Sequence, residues 1–191
     1  MIKTIDIKST KTAEVYRYLS NAVTPRPIAF VSTIDKSGNK NLSPFSFFNV
    51  FSVNPPILVF SPVRRVRNNT SKDTLDNIKE VNECVVSLVS EEIAQQVSLS
   101  SCDFEANVNE FEKAGFTELK SELIRPSRVK ESPVNFECKV NDVIELGKEG
   151  GAGSLVLCEV LKIHIDEKVI DGKDELDPLK LNLVSRYGKN W

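Results

Sequence analysis

Residues 24–62 carry the side chains best suited to bind a ligand. Two apolar, strand-like runs, at 27–34 and 57–60, flank a segment that is rich in Ser, Phe and Asn. Phenyl rings can pack against a flat heteroaromatic ligand, while hydroxyl, amide and backbone groups bind its polar edge. The same composition also fits a hairpin whose phenylalanines only fill a core, because aromatic side chains are usually buried. Composition alone leaves both interpretations open.

Few side chains elsewhere in the chain could carry out catalysis themselves. His164 is the only histidine, which excludes a His-based metal site and gives little support to a Ser-His-Asp or Cys-His arrangement. We interpret His164 as a half-exposed strand residue. The acidic residues are scattered through turns and helix starts, so no pair of catalytic carboxylates is indicated. An enzyme with this set of side chains would need a cofactor for its chemistry.

The cysteines and the glycine-rich run are also interpreted as structural. No C-x-x-C pair is present, so neither a zinc site nor a redox disulfide is indicated. We predict that Cys84, Cys138 and Cys158 are small core residues and that Cys102 is exposed but not catalytic. The run at 150–153 completes no phosphate-binding motif and leads into a strand, so a tight hairpin turn is predicted. No catalytic and no metal-binding residue is therefore predicted.

The elements that must position the 24–62 segment are mainly strands. Apolar runs predict strands at about 27–35, 40–48, 56–61, 83–90, 133–147 and 153–166. Helices are expected at 12–21, after a cap at Ser9 or Thr10, and at 73–81, with Asp73 as the cap. Two more are expected at 93–100 and at 108–115, where Gly115 ends the helix. Many strands with few intervening helices favour an antiparallel barrel over a parallel sheet.

Length and charge narrow the class of protein. A chain of 191 residues fits a single domain spanning 1–191. The net charge of −2 argues against a nucleic-acid partner, which requires a concentrated basic surface. No apolar run approaches the roughly 20 residues of a membrane span, and the N-terminus lacks the apolar core of a secretory signal. We therefore expect a cytoplasmic protein without a nucleic-acid or membrane partner.

A long ordered motif resembles a known family. RPIAFVST, a turn, and NLSPFSFFNVFSVNPPILVFSPVRR resemble the flavin reductase-like proteins with an FMN-binding split barrel. This family includes flavoredoxins and the reductase components of two-component monooxygenases. The resemblance continues through KDTLDNI, SPVNFECKV and RYGKNW, so it covers nearly the whole chain. It implies a mainly β fold, a split antiparallel β-barrel with peripheral short helices, that works as a homodimer.

The resemblance also implies a function. The chain would be an FMN-dependent flavin reductase in which NADH or NADPH reduces bound FMN. The electrons would then pass to free flavin, to a monooxygenase partner or to another acceptor. No nicotinamide-binding fingerprint is present, so the nicotinamide would stack on the flavin in an open cleft. Two alternatives stay open: a flavoredoxin-like electron carrier or ferric reductase that does not use NAD(P)H directly, and a non-catalytic FMN-binding protein.

The cofactor contacts implied by the resemblance fall on two strand segments and a basic loop. Arg26, between two prolines, would place a cation near the flavin ring, where it would stabilise the reduced, anionic form. Basic side chains before a predicted helix start suit a phosphate, although a solvated basic loop is the alternative. The predicted cofactor-binding residues are Arg26, Pro27, Ile28, Ala29, Ser43, Ser46, Phe47, Phe48, Asn49, Ser61, Arg64, Arg65, Lys72 and Thr74. Because neighbours along a strand alternate in direction, residues 43–49 cannot all face the ligand.

Overall fold

Seven antiparallel strands form one sheet in the computed structural model, which describes residues 1–101 and 109–188. The strands are β1 (Ala29–Ile34), β2 (Lys40–Phe45), β3 (Phe48–Val53), β4 (Pro56–Phe60), β5 (Glu83–Ser87), β6 (Glu118–Leu119), β7 (Arg128–Val129), β8 (Val134–Glu145) and β9 (Ser154–Ile165). Their order in the large sheet is β2-β1-β5-β8-β9-β4-β3, and β6 pairs separately with β7. The predicted mainly β, antiparallel fold is confirmed.

Short helices lie around this sheet. They are α1 (Thr12–Ala22), α2 (Asp73–Val81), α3 (Ala94–Leu99), α4 (Glu110–Ala114) and α5 (Pro178–Leu181), with 3-10 turns at Ile7–Ser9, Glu91–Ile93 and Glu167–Val169. The predicted caps at Ser9, Thr10 and Asp73 are wrong, because Lys11 and Lys72 occupy the N-cap positions of α1 and α2. None of the helices in the described part of the chain has the length and apolar composition needed to cross a membrane.

The predicted strand at 40–48 is wrong in its extent, because the chain turns within it. β2 ends at Phe45, Ser46 and Phe47 form the turn, and β3 begins at Phe48. β3 then pairs with β4 as a hairpin, and β2 and β3 form the two edges of the large sheet. The turn at 46–47 carries no Gly, Pro or Asn to mark it, so the sequence reads as one continuous run. This turn brings residues 46 and 47 to the open side of the barrel.

The core consists of two main clusters, one on each face of β1. Val31 lies in an inner cluster that includes Leu75 and Ile78 of α2. Phe30 lies in an outer cluster whose helical members include Phe111 of α4. Successive side chains of a strand point to opposite faces, so β1 is buried along its whole length between these two layers. Both faces of β1 are therefore fixed by packing.

The three predicted core cysteines are confirmed as buried. Cys84, Cys138 and Cys158 lie in the inner cluster, and the Sγ atoms of Cys84 and Cys158 are 3.7 Å apart. Hydrogen bonding with Cys84, together with burial, raises the pKa of Cys138 and of Cys158 above the ordinary thiol value. Cys138 and Cys158 therefore remain neutral near pH 7. Cys102 lies outside the described residues.

His164 is a partly buried residue of β9, as predicted, and it has a partner that the sequence did not indicate. Its Nε2 lies 2.7 Å from Oε1 of Glu137, a carboxylate with no exposed side-chain surface. Glu137 also accepts hydrogen bonds from the backbone N–H groups of Glu122 and Leu123, both at 2.8 Å. Burial opposes ionisation of Glu137, but these donors hold its pKa below the ordinary value. The pair fastens the connection between β6 and β7 to the large sheet.

Candidate functional site

A cavity of about 220 Å³ opens where the ends of β2 and β4 meet α1 and the start of α2. Its lining consists of Tyr16, Pro44, Phe45, Ser46, Phe47, Ser61, Val63 and Lys72. The lining combines three aromatic rings with hydroxyl groups and one ammonium group. Such a set suits a ligand with a flat apolar part and an anionic or polar tail. The structure thus brings together four of the residues that the sequence singled out, namely Ser46, Phe47, Ser61 and Lys72.

Arg26 supports the wall of this cavity from behind. Its guanidinium donates hydrogen bonds of 2.5 Å to the backbone carbonyls of Ser20 and Val23, at the end of α1. The same group lies 5.8 Å from the ring centroid of Phe47, and its Nε is 3.4 Å from Oγ of Ser46. Arg26 is buried and does not belong to the lining of the cavity. Its observed contacts therefore hold the turn at 46–47 in place.

The three residues that follow Arg26 are placed differently from one another. Pro27 is exposed, whereas the side chains of Ile28 and Ala29 are buried in the outer and the inner cluster respectively. The side chains of Ile28 and Ala29 are thus used in packing, and their contact with a ligand stays a prediction. The exposed ring of Pro27 and the backbone of this segment are the parts that packing does not occupy.

Only part of the predicted run at 43–49 lines the cavity, because the chain turns at 46–47. Ser43 pairs with Val31 in the sheet, and Phe48 packs against the inner cluster. Asn49 is exposed, and its Oδ1 accepts a hydrogen bond from the N–H of Val50. Ser43, Phe48 and Asn49 do not belong to the cavity lining. Strand alternation and the turn together leave Ser46 and Phe47 as the predicted residues of this run that face the cavity.

Ser61 and Lys72 close the cavity on the side of α2. Ser61 follows β4, and its N–H donates to the carbonyl of Phe47 at 2.8 Å. This hydrogen bond joins the end of β4 to the turn at 46–47. The carbonyl of Lys72 accepts the N–H groups of Leu75 at 2.9 Å and Asp76 at 3.2 Å, as an N-cap residue does. The position of Lys72 is therefore fixed by the first turn of α2. A helix N-terminus favours a negative charge at this end of the cavity.

The basic loop before α2 is held by its own hydrogen bonds. Nε of Arg64 donates to Oδ1 of Asn69 at 2.8 Å, and Arg65 donates to the carbonyl of Ser71. Arg65 also lies 3.6 Å from the carboxylate of Asp73. Neither arginine belongs to the lining of the cavity. Both side chains fold the loop against the first turn of α2, and their contact with a ligand stays a prediction.

Thr74 does not belong to the lining of the cavity, and its contact with a ligand stays a prediction. Its hydroxyl is buried and donates to Oδ1 of Asn41 at 2.5 Å. Asn41 in turn donates through Nδ2 to Glu110 at 2.8 Å, and the N–H of Leu42 donates to the same carboxylate at 3.1 Å. Burial raises the pKa of Glu110, against the opposing effect of these hydrogen bonds. Thr74 thus fastens α2 to β2.

The glycine-rich run at 150–153 forms a hairpin turn between β8 and β9, as predicted. The N–H of Gly151 donates to the carbonyl of Arg64 at 3.0 Å, and the N–H of Arg64 donates to the carbonyl of Ala152 at 2.9 Å. At Gly153 a β-carbon would lie 2.6 Å from Oγ of Ser61. The absence of a side chain at Gly153 therefore leaves room for the hydroxyl that lines the cavity.

Sequence reasoning missed four residues of the lining: Tyr16, Pro44, Phe45 and Val63. Tyr16 lies on the apolar face of α1, and its ring centroid is 6.4 Å from that of Phe47. An apolar helix face indicates packing but does not show against which surface it packs. Tyr16 could have been recognised only as an aromatic hydroxyl on the helix directly before the motif that begins at Arg26.

Comparison with known proteins identifies the class. A family model described as the flavin reductase like domain matches residues 21–180. Because this match covers most of the chain, the chain belongs to the flavin reductase-like family. Membership supports an oxidoreductase and implies a flavin as its redox group.

Solved structures and a sequence relative agree with this assignment. The fold matches nitrilotriacetate monooxygenase component B from Bacillus cereus with a TM-score of 0.93 and 29% identity, covering 100% of this chain and 94% of that one. It matches the Pseudomonas fluorescens 2-nitrobenzoate 2-nitroreductase NbaA with a TM-score of 0.83 and 30% identity, covering 97% and 88%. An uncharacterized protein of Aquifex aeolicus is 36% identical over 185 residues, covering 97% and 92%. The predicted split antiparallel β-barrel is confirmed.

Replacing Gly153 by Ala should displace the hydroxyl of Ser61. Because that hydroxyl can rotate, we expect the free energy of unfolding to fall by only about 0.5–1.5 kcal/mol, as for an unfavourable rotamer. Flavin binding should weaken by roughly two- to tenfold, the cost of one neutral hydrogen bond. Ser61→Ala should weaken binding to the same extent, and the double variant no further. Titration of flavin fluorescence measures the affinities.

Gly172→Ala is the matched control, because a β-carbon there meets no atom within 4 Å. Additive losses in the Gly153→Ala, Ser61→Ala double variant would contradict the proposed contact between the two positions.

Proposed function

We propose that this chain is an FMN-binding flavin reductase that transfers electrons from NADH or NADPH to free flavin, to a monooxygenase partner or to another acceptor. The observation that carries the proposal is the cavity between β2, β4 and α2, because it joins aromatic rings, hydroxyl groups and an ammonium group in a member of the flavin reductase-like family. Two structurally similar proteins are named as a monooxygenase component and a nitroreductase, which supports a redox role.

The residues of the cavity fit FMN. We propose that Lys72 and the first turn of α2 hold the phosphate, because a positive side chain and a helix N-terminus both favour an anion. The hydroxyls of Ser46 and Ser61 would bind the polar chain, and the rings of Phe47 and Tyr16 would border the apolar part. Arg64 and Arg65 would support this end by holding the basic loop against α2.

The protein itself supplies binding and orientation. When bound, FMN accepts a hydride and passes electrons on, which requires no protein nucleophile. His164 is engaged with Glu137, and Cys84, Cys138 and Cys158 lie in the inner cluster, so none of them lines the cavity. The rings of Tyr16, Phe45 and Phe47 give the cavity its apolar wall, and Arg26 contacts the turn that carries Ser46 and Phe47.

We also propose a homodimer. β3 is an edge strand, and Val50, Phe51 and Val53 on it are exposed by 58%, 69% and 86%. An apolar edge strand promotes unwanted pairing unless it is covered. The cavity of about 220 Å³ is also smaller than the roughly 300–1,000 Å³ typical of ligand pockets, so one chain encloses only part of a flavin. A second copy of this chain that covers the hairpin of β3 and β4 would bury the apolar edge strand and complete the enclosure of the flavin.

Addition of NADH or NADPH without oxygen should bleach the visible absorbance of the flavin bound to the purified protein. Cys102→Ser should react at close to the parent rate, because no thiol takes part, whereas Ser46→Ala should lose flavin occupancy. Stopped-flow absorbance measures the rate. If flavin is bound but neither nucleotide bleaches it, the reductase proposal is wrong, and an electron carrier or a non-catalytic flavoprotein is favoured.

Replacing Lys72 by Ala should make the binding free energy of FMN less favourable by about 1.5–3 kcal/mol, the scale of a charge-assisted hydrogen bond. Riboflavin, which lacks the phosphate, should bind nearly as it does to the parent. Isothermal titration with both ligands measures the difference. Lys79→Ala is the control on the same helix, since Lys79 pairs with Glu145 at 2.5 Å on the surface. Equal losses for FMN and riboflavin would argue against a phosphate site at Lys72.

Replacing Phe51 by Glu should dissociate the proposed homodimer, because a charge would then be buried between two apolar hairpins. Sedimentation analysis should give twice the chain mass of 21.3 kDa for the parent and the single mass for the variant. Leu123→Glu, an exposed site on the connection between β6 and β7, should remain dimeric. A parent that sediments as a monomer at micromolar concentration would rule the homodimer out.

A further inference from the structure

Three buried polar side chains connect α4 to the first turn of α2. Glu110, Asn41 and Thr74 are only 8%, 7% and 1% exposed. Thr74 Oγ1 lies 2.5 Å from Asn41 Oδ1, and Asn41 Nδ2 lies 2.8 Å from Glu110 Oε1. Glu110 is the first residue of α4, Asn41 belongs to β2, and Thr74 is the second residue of α2. The cofactor end of α2 is thus linked to a carboxylate in a separate part of the chain.

The direction of each hydrogen bond in this connection is set by Glu110. An ionised carboxylate can only accept hydrogen bonds, so it fixes the side-chain NH2 of Asn41 toward α4 and the Oδ1 toward α2. The hydroxyl of Thr74 must then donate to Asn41. The second carboxylate oxygen accepts the N–H of Leu42 on the edge strand β2 at 3.1 Å. A buried network in which each member has a partner holds its elements rigidly.

The connection ends next to the cavity. Thr74 lies two residues after Lys72, which lines the cavity. The carbonyl of Lys72 accepts the N–H of Leu75 at 2.9 Å, so the N-cap and the first turn move as one unit. A second link, from Asn77 Nδ2 to Thr33 Oγ1 at 3.1 Å, holds the next turn of α2 on β1. The Thr74 link therefore controls the placement of the helix start rather than the docking of the whole helix.

We propose that Glu110 is a positioning residue of the cofactor site. Without touching the ligand, it sets through Asn41 and Thr74 the position at which α2 presents Lys72. This inference rests on the proposed function, in which Lys72 holds the phosphate of FMN. It gives α4, which lies outside the cavity, a part in cofactor affinity.

Glu110→Gln tests the proposal, because the substitution keeps the size of the side chain but offers one acceptor oxygen for two donors. We expect the dissociation constant of FMN to rise by roughly three- to thirtyfold, the range for residues that act on a ligand without contact. The dissociation constant of riboflavin should stay within about twofold, because riboflavin has no phosphate for Lys72 to bind. Isothermal titration of the folded full chain measures both.

A double variant separates positioning from general destabilisation. If Glu110 acts through Lys72, adding Glu110→Gln to the Lys72→Ala variant should not lower the affinity for FMN any further. Glu118→Gln is the control, because Glu118 contacts Lys40, one residue before Asn41, at 2.7 Å and Asn109, one residue before Glu110, at 3.5 Å. Among the described residues, none of its hydrogen bonds reaches α2, so it tests disturbance near α4 without the link to Lys72. It should leave both affinities unchanged. If Glu110→Gln lowers the folded fraction, Thr74→Val carries the same test, because it leaves the pair of Glu110 and Asn41 intact.

The outcomes distinguish this inference from the proposed function. The inference is supported if Glu110→Gln lowers the affinity for FMN but not for riboflavin, and if this effect disappears in the Lys72→Ala background. Equal weakening of FMN and riboflavin, additive losses, or no change in either affinity would overturn it while the function stands. A parent that binds FMN no more tightly than riboflavin would overturn the phosphate site itself, and the inference with it.

Discussion

The candidate site is organised around the hydrogen bonds of one buried group, the guanidinium of Arg26. A buried charge is costly unless its hydrogen bonds are satisfied, so the chain must supply acceptors on several sides. The end of α1 provides the carbonyls of Ser20 and Val23, where the helix dipole also favours a cation. The backbone of Arg26 pairs in both directions with that of Arg186. Helix α1, the start of β1, the C-terminal segment and the turn at 46–47 are thereby held around one group.

The cavity is built from segments that are far apart in the sequence, and each of its walls has its own support. The turn at 46–47 rests on Arg26, and Ser61 is linked to that turn by a backbone hydrogen bond. Gly153 leaves space for Ser61, and Lys72 is held by the first turn of α2. Most of these supports are polar and directional, whereas apolar packing fixes the sheet behind them. The shape of the cavity therefore depends on residues that do not line it, such as Arg26 and Gly153.

Local signals in the sequence predicted the parts of the fold that are governed locally. The long strands β8 and β9 and their glycine-rich turn follow from apolar runs and from Gly151, which has a φ of +94°. The turn at Ser46 and Phe47 was missed because it contains no Gly, Pro or Asn, and Ser46 stands among phenylalanines that favour strands. Arg26, which is distant in the sequence, contacts both residues of the turn. Four of the predicted residues line the cavity, because they stand at strand ends and at a helix start that the sequence marks. The direction of the Thr74 side chain could not be predicted, because it depends on Asn41, which is distant in the sequence.

The reactivity of the three buried thiols of the inner cluster can be used to measure how often the barrel opens. Cys84, Cys138 and Cys158 have no exposed surface and belong to strands β5, β8 and β9. A thiol reagent can reach them only when these central strands separate, which in most proteins requires global rather than local unfolding. The rate at which these positions become alkylated in the native protein therefore measures the opening of the barrel. Hydrogen exchange of the backbone amides in the exposed loop at 66–70 reports local opening instead, so the two measurements give the stability of separate regions.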